Sequence, residues 1–162
     1  MVRILALCHG NICRSPLAEA LIRSAVEGDP RLAGRVRVSS AGTSDEHLGE
    51  GMHRESATLL SQRGLPTQHR ARQLDAALAA EQDLILAADR ANLRAASRLL
   101  GAIDAAAAPE LRLIRDFDPA AAGSDLDDPW GLPASAYERA AREIEAAIPG
   151  LLSELRDRLD RS

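Results

Sequence analysis

Val2-Arg3-Ile4-Leu5-Ala6-Leu7-Cys8-His9-Gly10-Asn11-Ile12-Cys13-Arg14-Ser15-Pro16-Leu17 is the stretch that decides the fold. Arg3 to Leu7 is short and apolar, as a buried strand is. Cys8 to Ser15 reads as a loop, in which Gly10 and Asn11 can take unusual backbone angles. Pro16 suits the first turn of a helix. Leu17, Ala20, Leu21 and Ala25 then recur at helical spacing. Gly28, Asp29 and Pro30 stop that helix.

The alternation continues downstream. Val36 and Val38 mark a second strand, and the polar stretch Ser39 to Gly51 reads as a long loop. Ser56 to Arg63 reads as a helix ending at Gly64. Leu84 to Leu86 form a third strand, followed by a helix over Arg90 to Leu100. Leu111 to Ile114 form a fourth strand, and Asp116 to Pro133 is irregular. Tyr137, Ala141, Ile144, Ile148, Leu151, Leu155 and Leu159 line one face of a terminal helix, which Pro149 is expected to kink or restart. The alanine run Ala105 to Ala108 reads as a solvent-side connection. Alternating strands and helices predict a parallel sheet covered on both faces. No linker or repeat divides the chain, so residues 1–162 are read as one domain. In such sheets ligands bind at the carboxyl ends of the strands, where Cys8 stands.

Composition narrows the function classes. The 162 residues are 46% apolar and 27% charged, as in a soluble globular protein. The net charge of -4 without a basic block argues against nucleic acid as a partner. No apolar run has the length of a membrane span, and no signal peptide precedes the strand at Val2. A cytoplasmic location is the default, with a monomer as the working unit. The 20 basic residues are all Arg, which removes any mechanism needing a lysine. The two cysteines, Cys8 and Cys13, exclude a disulfide scaffold. Phe117, Trp130 and Tyr137 are the only aromatics, so Ala, Leu, Ile and Val must build the core.

The loop Cys8-His9-Gly10-Asn11-Ile12-Cys13-Arg14-Ser15 carries the chemistry. A Cys followed six residues later by an Arg is weak evidence alone. With 20 Arg in 162 residues, chance supplies one about one time in eight. The strand before it and the helix after it change the weight. A loop in that setting can turn successive N–H groups inward as an anion nest. The helix N-terminus adds positive potential, and Arg14 adds a fork matched to phosphate. The same field can lower a thiol from about 8.5 into the range of roughly 3.5–7.5. Cys8 is therefore the candidate nucleophile, giving a phosphocysteine that water cleaves. Ser15 is placed to hydrogen-bond the sulfur. The bland alternative is a buried Cys beside a surface Arg. Asp118, Asp127 and Asp128 are candidates for the proton donor. Asp128 is preferred because Trp130 follows it as a wall for an aromatic substrate; the alternative for Trp130 is packing over the core edge.

These residues resemble the low-molecular-weight protein tyrosine phosphatase family. CHGNICRSP over Cys8 to Pro16 matches its signature, with His9 unusual. Ser40-Ala41-Gly42-Thr43, His69-Arg70-Ala71-Arg72-Gln73, Asp89 to Leu93 and Asp128-Pro129-Trp130 resemble four further family segments. The resemblance implies a three-layer α/β/α, flavodoxin-like fold with a four-stranded parallel sheet. It implies Cys8 as nucleophile, Arg14 as phosphate clamp, and Asp128 as general acid and then base. Residues His9 through Ser15 would bind the phosphate. Asn11, Ser15, Ser40 and His69 would support the loop. No metal or cofactor is implied. A tyrosine-phosphorylated protein is the expected partner, such as an autophosphorylated bacterial kinase, or a host protein if the chain is exported without a leader. His47 and His53 read as solvated loop residues.

Departures from the family pattern matter. Glu46 occupies a place where an aromatic is usual, so Ile12, Glu46 and Trp130 would line the substrate slot. Protein arginine phosphatases tend to have Thr where Ile12 stands. Ile12 would crowd phosphoarginine and favours the tyrosine branch. Arsenate reductases need cysteines beyond the loop, and none follows Cys13. A Cys8–Cys13 disulfide protecting the nucleophile and a merely buried Cys13 both remain open. A phosphotyrosine-binding module without turnover is the alternative from another class, but it has no use for an acid at Asp128. Glu46→Trp is expected to raise kcat/KM on phosphotyrosine peptides; an unchanged value would remove Glu46 from the slot.

Overall fold

Residues 1–161 are described by a computed structural model. Four strands form one parallel sheet: β1 Val2–Cys8, β2 Val36–Gly42, β3 Leu84–Ala87 and β4 Glu110–Leu113, in the order β2-β1-β3-β4. The helices are α1 Arg14–Glu27, α2 Arg54–Gln62, α3 Ala76–Ala80, α4 Arg90–Leu100 and α5 Ala134–Arg161. A 3-10 turn, Ile114–Phe117, follows β4. This is the four-stranded three-layer arrangement that the resemblance implied. Among the described residues no helix is long and apolar enough to cross a membrane.

β1 is apolar because both of its faces are buried. Ile4, Ala6 and Cys8 join the larger core, with Leu17, Ile22 and Tyr137. Leu5 and Leu7 join a smaller one on the other face, with Leu74, Ala79 and Ala96. A strand covered on both faces loses the polar alternation of a half-exposed one. β1 is also paired on both edges, with β2 and with β3. The order of strands therefore reverses at β1, and that reversal opens a crevice beyond its carboxyl end. The loop after Cys8 lies there.

Several boundaries differ from the sequence reading. β2 runs on through Ser39, Ser40, Ala41 and Gly42 where a loop was expected, pairing with Leu5 to Cys8. Its end is polar because Ser40 is buried for hydrogen bonding. The buried face of α1 holds Leu17, Ala18, Leu21, Ile22 and Val26, with Ala20 and Ala25 at its margin. The second helix begins two residues early, at Arg54, and the short α3 was not anticipated. Gly10 has an ordinary φ, and Asn11 alone among the described non-glycine residues has a positive one.

The helix does not restart at Pro149: α5 runs through it as one element. Proline removes one intrahelical hydrogen bond, while Tyr137, Ala141, Ile144, Leu151, Leu155 and Leu159 stay buried along the helix. Ile148 is only partly buried. The residue after Pro149 sets how closely α5 packs. A Cβ on Gly150 would fall 2.1 Å from the Phe117 carbonyl oxygen, so only glycine allows this approach. Gly150→Ala should destabilise the protein by about 1–3 kcal/mol through overpacking. Urea unfolding monitored by circular dichroism measures this; an unchanged midpoint would contradict the contact.

Candidate active site

The loop between Cys8 and α1 is held from outside by its carbonyls. Thr43 N–H donates to the Cys8 carbonyl (2.9 Å), Ser44 N–H to that of His9 (3.0 Å) and His53 N–H to that of Ile12 (2.8 Å). His69 Nε2 donates to the Asn11 carbonyl (2.6 Å), and Ser56 Oγ to that of Cys13 (3.1 Å). The N–H groups of residues 9–13 have no protein acceptor among the described residues. With carbonyls turned out and N–H groups unengaged, the loop has the polarity of an anion nest. It feeds directly into the N-terminus of α1 at Arg14.

Asn11 organises this arrangement. Its φ of 57° is left-handed, and its side chain is fully buried. Nδ2 donates to Ser15 Oγ (2.8 Å) and Ser40 Oγ (3.0 Å), and Oδ1 accepts from Arg72 N–H (2.9 Å). Ser40 Oγ donates onward to the Glu19 carboxylate, and Arg72 Nε donates to the Ser40 carbonyl (2.9 Å). Ser15 Oγ lies 3.0 Å from Cys8 Sγ. Because that hydroxyl accepts from Asn11, its own proton is available to the sulfur. Hydrogen bonds thus link Asn11, Ser15, Ser40 and His69 in one network. Glu19 and Arg72 belong to it too, and only the second lay in a segment singled out by sequence. Gly42 completes the packing: a Cβ there would meet the His9 carbonyl at 2.6 Å.

Arg14 is buried and held in a fixed orientation. One terminal nitrogen donates to Asp89 Oδ2 (2.7 Å) and to the Leu126 carbonyl (2.7 Å). The other faces Asp128 Oδ2 at 3.8 Å. Asp89 also caps α4 through Asn92 N–H (2.8 Å), so a helix start anchors the guanidinium. Of the three candidate acids, Asp128 reaches the site. Trp130 N–H donates to its Oδ1 (3.2 Å), and the carboxylate is half exposed. Asp127 points instead to Arg139 (2.9 Å), and Asp118 accepts from Ala120 N–H.

A cavity of about 150 Å³ unites these groups. Cys8, Arg14 and Asp128 line it, with Ile12, Glu46, His47 and Trp130. Trp130 is 60% exposed, so it walls the mouth and does not pack over the core edge. The His9 side chain turns outward to Glu46 (3.3 Å), so only its backbone belongs to the cradle. The two histidines read as solvated have other places. His47 lines the cavity, bonds Glu50 (2.8 Å), and would touch a Cβ on Gly10 at 2.8 Å. His53 caps α2 by accepting from Glu55 N–H (3.2 Å) and stacks on Tyr137, with ring centroids 5.0 Å apart. Nothing in their local sequence separates them from loop residues; tertiary neighbours give them these contacts.

The two thiols differ. Burial, offset in part by a hydrogen bond to Tyr137 (3.5 Å), pushes Cys13 up to about 11. Both cysteines are free.

Comparison with known proteins bears on what the cavity does. Residues 3–161 match the family described as low molecular weight phosphotyrosine protein phosphatase. A low molecular weight protein-tyrosine-phosphatase of Streptomyces coelicolor is 40% identical over 160 residues, covering 98% of this chain and 96% of that protein. A protein tyrosine phosphatase from Entamoeba histolytica, solved with Hepes in its active site, superposes with a TM-score of 0.86 at 25% identity. That match covers 97% of this chain and 98% of the other. A Drosophila arginine phosphatase gives a TM-score of 0.85 at 25% identity, covering 94% and 96%.

The geometry predicts selective alkylation. Iodoacetamide at pH 7.5 should label Cys8, more slowly in the presence of inorganic phosphate. Both thiols are buried and line the cavity, but Cys13 is protonated through the neutral range and should stay unlabelled while the protein is folded. Peptide mass spectrometry reads both sites, and equal labelling would contradict the assignment.

Proposed function

The chain belongs to the low molecular weight phosphotyrosine protein phosphatase family, and from that premise we propose that it hydrolyses protein phosphotyrosine through a cysteinyl-phosphate. One observation carries the reading. A single cavity holds Cys8, Arg14 and Asp128 at the mouth of a loop whose N–H groups lack protein acceptors.

The phosphate dianion would sit in that cradle with Arg14 on two of its oxygens. Cys8 Sγ attacks phosphorus as the bond to the tyrosine oxygen breaks. Asp128 gives its proton to the departing phenolate. Water then attacks phosphorus, losing a proton to Asp128, and the S–P bond breaks. The Ser15 hydroxyl, 3.0 Å from Sγ, stabilises the departing thiolate. Ile12 and Trp130 would flank the aromatic ring. Asp89 holds Arg14 in position throughout and touches no substrate atom.

The working unit would be one chain, since one chain lines the whole cavity. A cytoplasmic tyrosine-phosphorylated protein, such as an autophosphorylated kinase, fits the site as substrate. The arginine phosphatase with the same fold supplies a second reading, hydrolysis of phosphoarginine. Ile12 weighs against it, because a branched apolar side chain lining the cavity would crowd the wider phosphoarginine group.

Hydrolysis of p-nitrophenyl phosphate, a phosphotyrosine peptide and a phosphoarginine peptide tests these readings. Cys8→Ser should abolish turnover. Asp128→Ala should lower kcat on the phosphotyrosine peptide by about 10²–10⁴-fold, and less on p-nitrophenyl phosphate, whose leaving group needs little protonation. Phosphoarginine turned over faster than phosphotyrosine would reverse the order of the two readings.

A further inference from the structure

His9 and Glu46 are 37 positions apart in sequence, and the fold brings them together. His9 follows the nucleophile at the end of β1, while Glu46 lies on the loop after β2. The imidazole Nε2 is 3.3 Å from Glu46 Oε1. Both side chains are more than half exposed, and Glu46 lines the cavity at its mouth. The Glu46 loop carries no arginine of its own, although Arg70 Nη1 lies 4.0 Å from where a Cβ on Gly49 would stand. The loop over residues 43–50 holds Asp45, Glu46 and Glu50 and no arginine, and residues 126–133 hold Asp127 and Asp128 and no arginine. Glu50 is taken by His47, and Asp127 by Arg139. Arg14, the one guanidinium lining the cavity, is buried at its base.

We propose that Glu46 is a specificity residue favouring phosphotyrosines flanked by Lys or Arg, and that His9 is its built-in competitor. The inference rests on the phosphatase reading of the cavity. A peptide whose phosphotyrosine fills that cavity must leave over its rim. A long basic side chain one or two residues away can then reach the Glu46 carboxylate. In the free protein His9 donates to that carboxylate. A polar contact this exposed is weak, so a substrate cation can displace the imidazole at little cost. An acidic flank meets Glu46 with like charge. His9 acts through Glu46, as a positioning residue that touches no substrate.

The test uses phosphotyrosine peptides identical except for Arg, Gln or Glu on either side of the phosphorylated residue. Dissociation constants are measured on the Cys8→Ser protein, and kcat/KM on the wild type. The Arg-flanked peptide should bind about three- to fivefold tighter than the Gln-flanked one, the contribution of one exposed pair. Adding Glu46→Gln should bring that ratio to about one. Adding His9→Ala should raise it about twofold, by removing the competing donor, but only where Glu46 is intact. A ratio that survives Glu46→Gln overturns the proposal, as does a His9→Ala effect of equal size in both backgrounds. Glu46-dependent binding without wild-type turnover would remove the phosphatase reading and leave this inference standing. Turnover with no flank preference would do the reverse, and no binding of any peptide would overturn both.

Discussion

A left-handed, buried asparagine holds the site together. An L-residue in that conformation costs about 1–2 kcal/mol. The Asn11 side chain makes three hydrogen bonds, to Ser15, Ser40 and Arg72. At roughly 0.5–1.5 kcal/mol net each, they offset the strain. The same backbone turn sends the loop's carbonyls outward to Thr43, Ser44, His53 and His69, and leaves N–H groups without protein partners. Strain concentrated at a functional loop and over-determined by its surroundings is a known pattern. Here it supplies an anion cradle built before any ligand arrives.

The charges follow the same logic of fixed orientation. Arg14 is buried, yet Asp89 and the Leu126 carbonyl satisfy one terminal nitrogen and leave the other facing the cavity. Asp89 is in turn fixed by capping α4. Preorganised charge of this kind needs no rearrangement during reaction, which is where most of its catalytic value lies. Asp128, the acid of the proposed mechanism, is held differently. Asp128 is half exposed on a loop, steadied by one hydrogen bond from Trp130 N–H. A group that must exchange a proton with both a leaving group and water benefits from that access.

The sheet provides the frame. β1 is paired on both edges and buried on both faces, so Cys8 at its end cannot drift. β2 ends with Ser40 and Gly42 against the loop, the first bonding Asn11 and the second allowing backbone to pass within contact. The seating of α5 depends on a similar close approach, Gly150 against Phe117. With three aromatic residues in the chain, the protein relies on close backbone packing and small side chains more than on bulk.

By itself the sequence determined the strand–loop–helix opening, the parallel sheet and the cluster Cys8, Arg14 and Ser15, because each is written in consecutive residues. Periodicity and turn chemistry are local signals, and those elements are local. It also contained Ser40, His69 and Asp128, legible through resemblance although their spacing alone says nothing. Only the tertiary structure decided what distant residues do to one another. It extended β2 into a stretch that looked like loop, since burial of Ser40 depends on a partner 29 positions away. It carried α5 through Pro149 as one helix, since packing outweighed one lost hydrogen bond. It gave Glu19, Arg72, Asp89, His47 and His53 their contacts and separated Asp128 from Asp127 and Asp118. It joined His9 to Glu46, two residues that looked anomalous apart and form one pair when folded. A hydrogen bond or ion pair is a matter of a few ångströms in space, and sequence distance does not encode that.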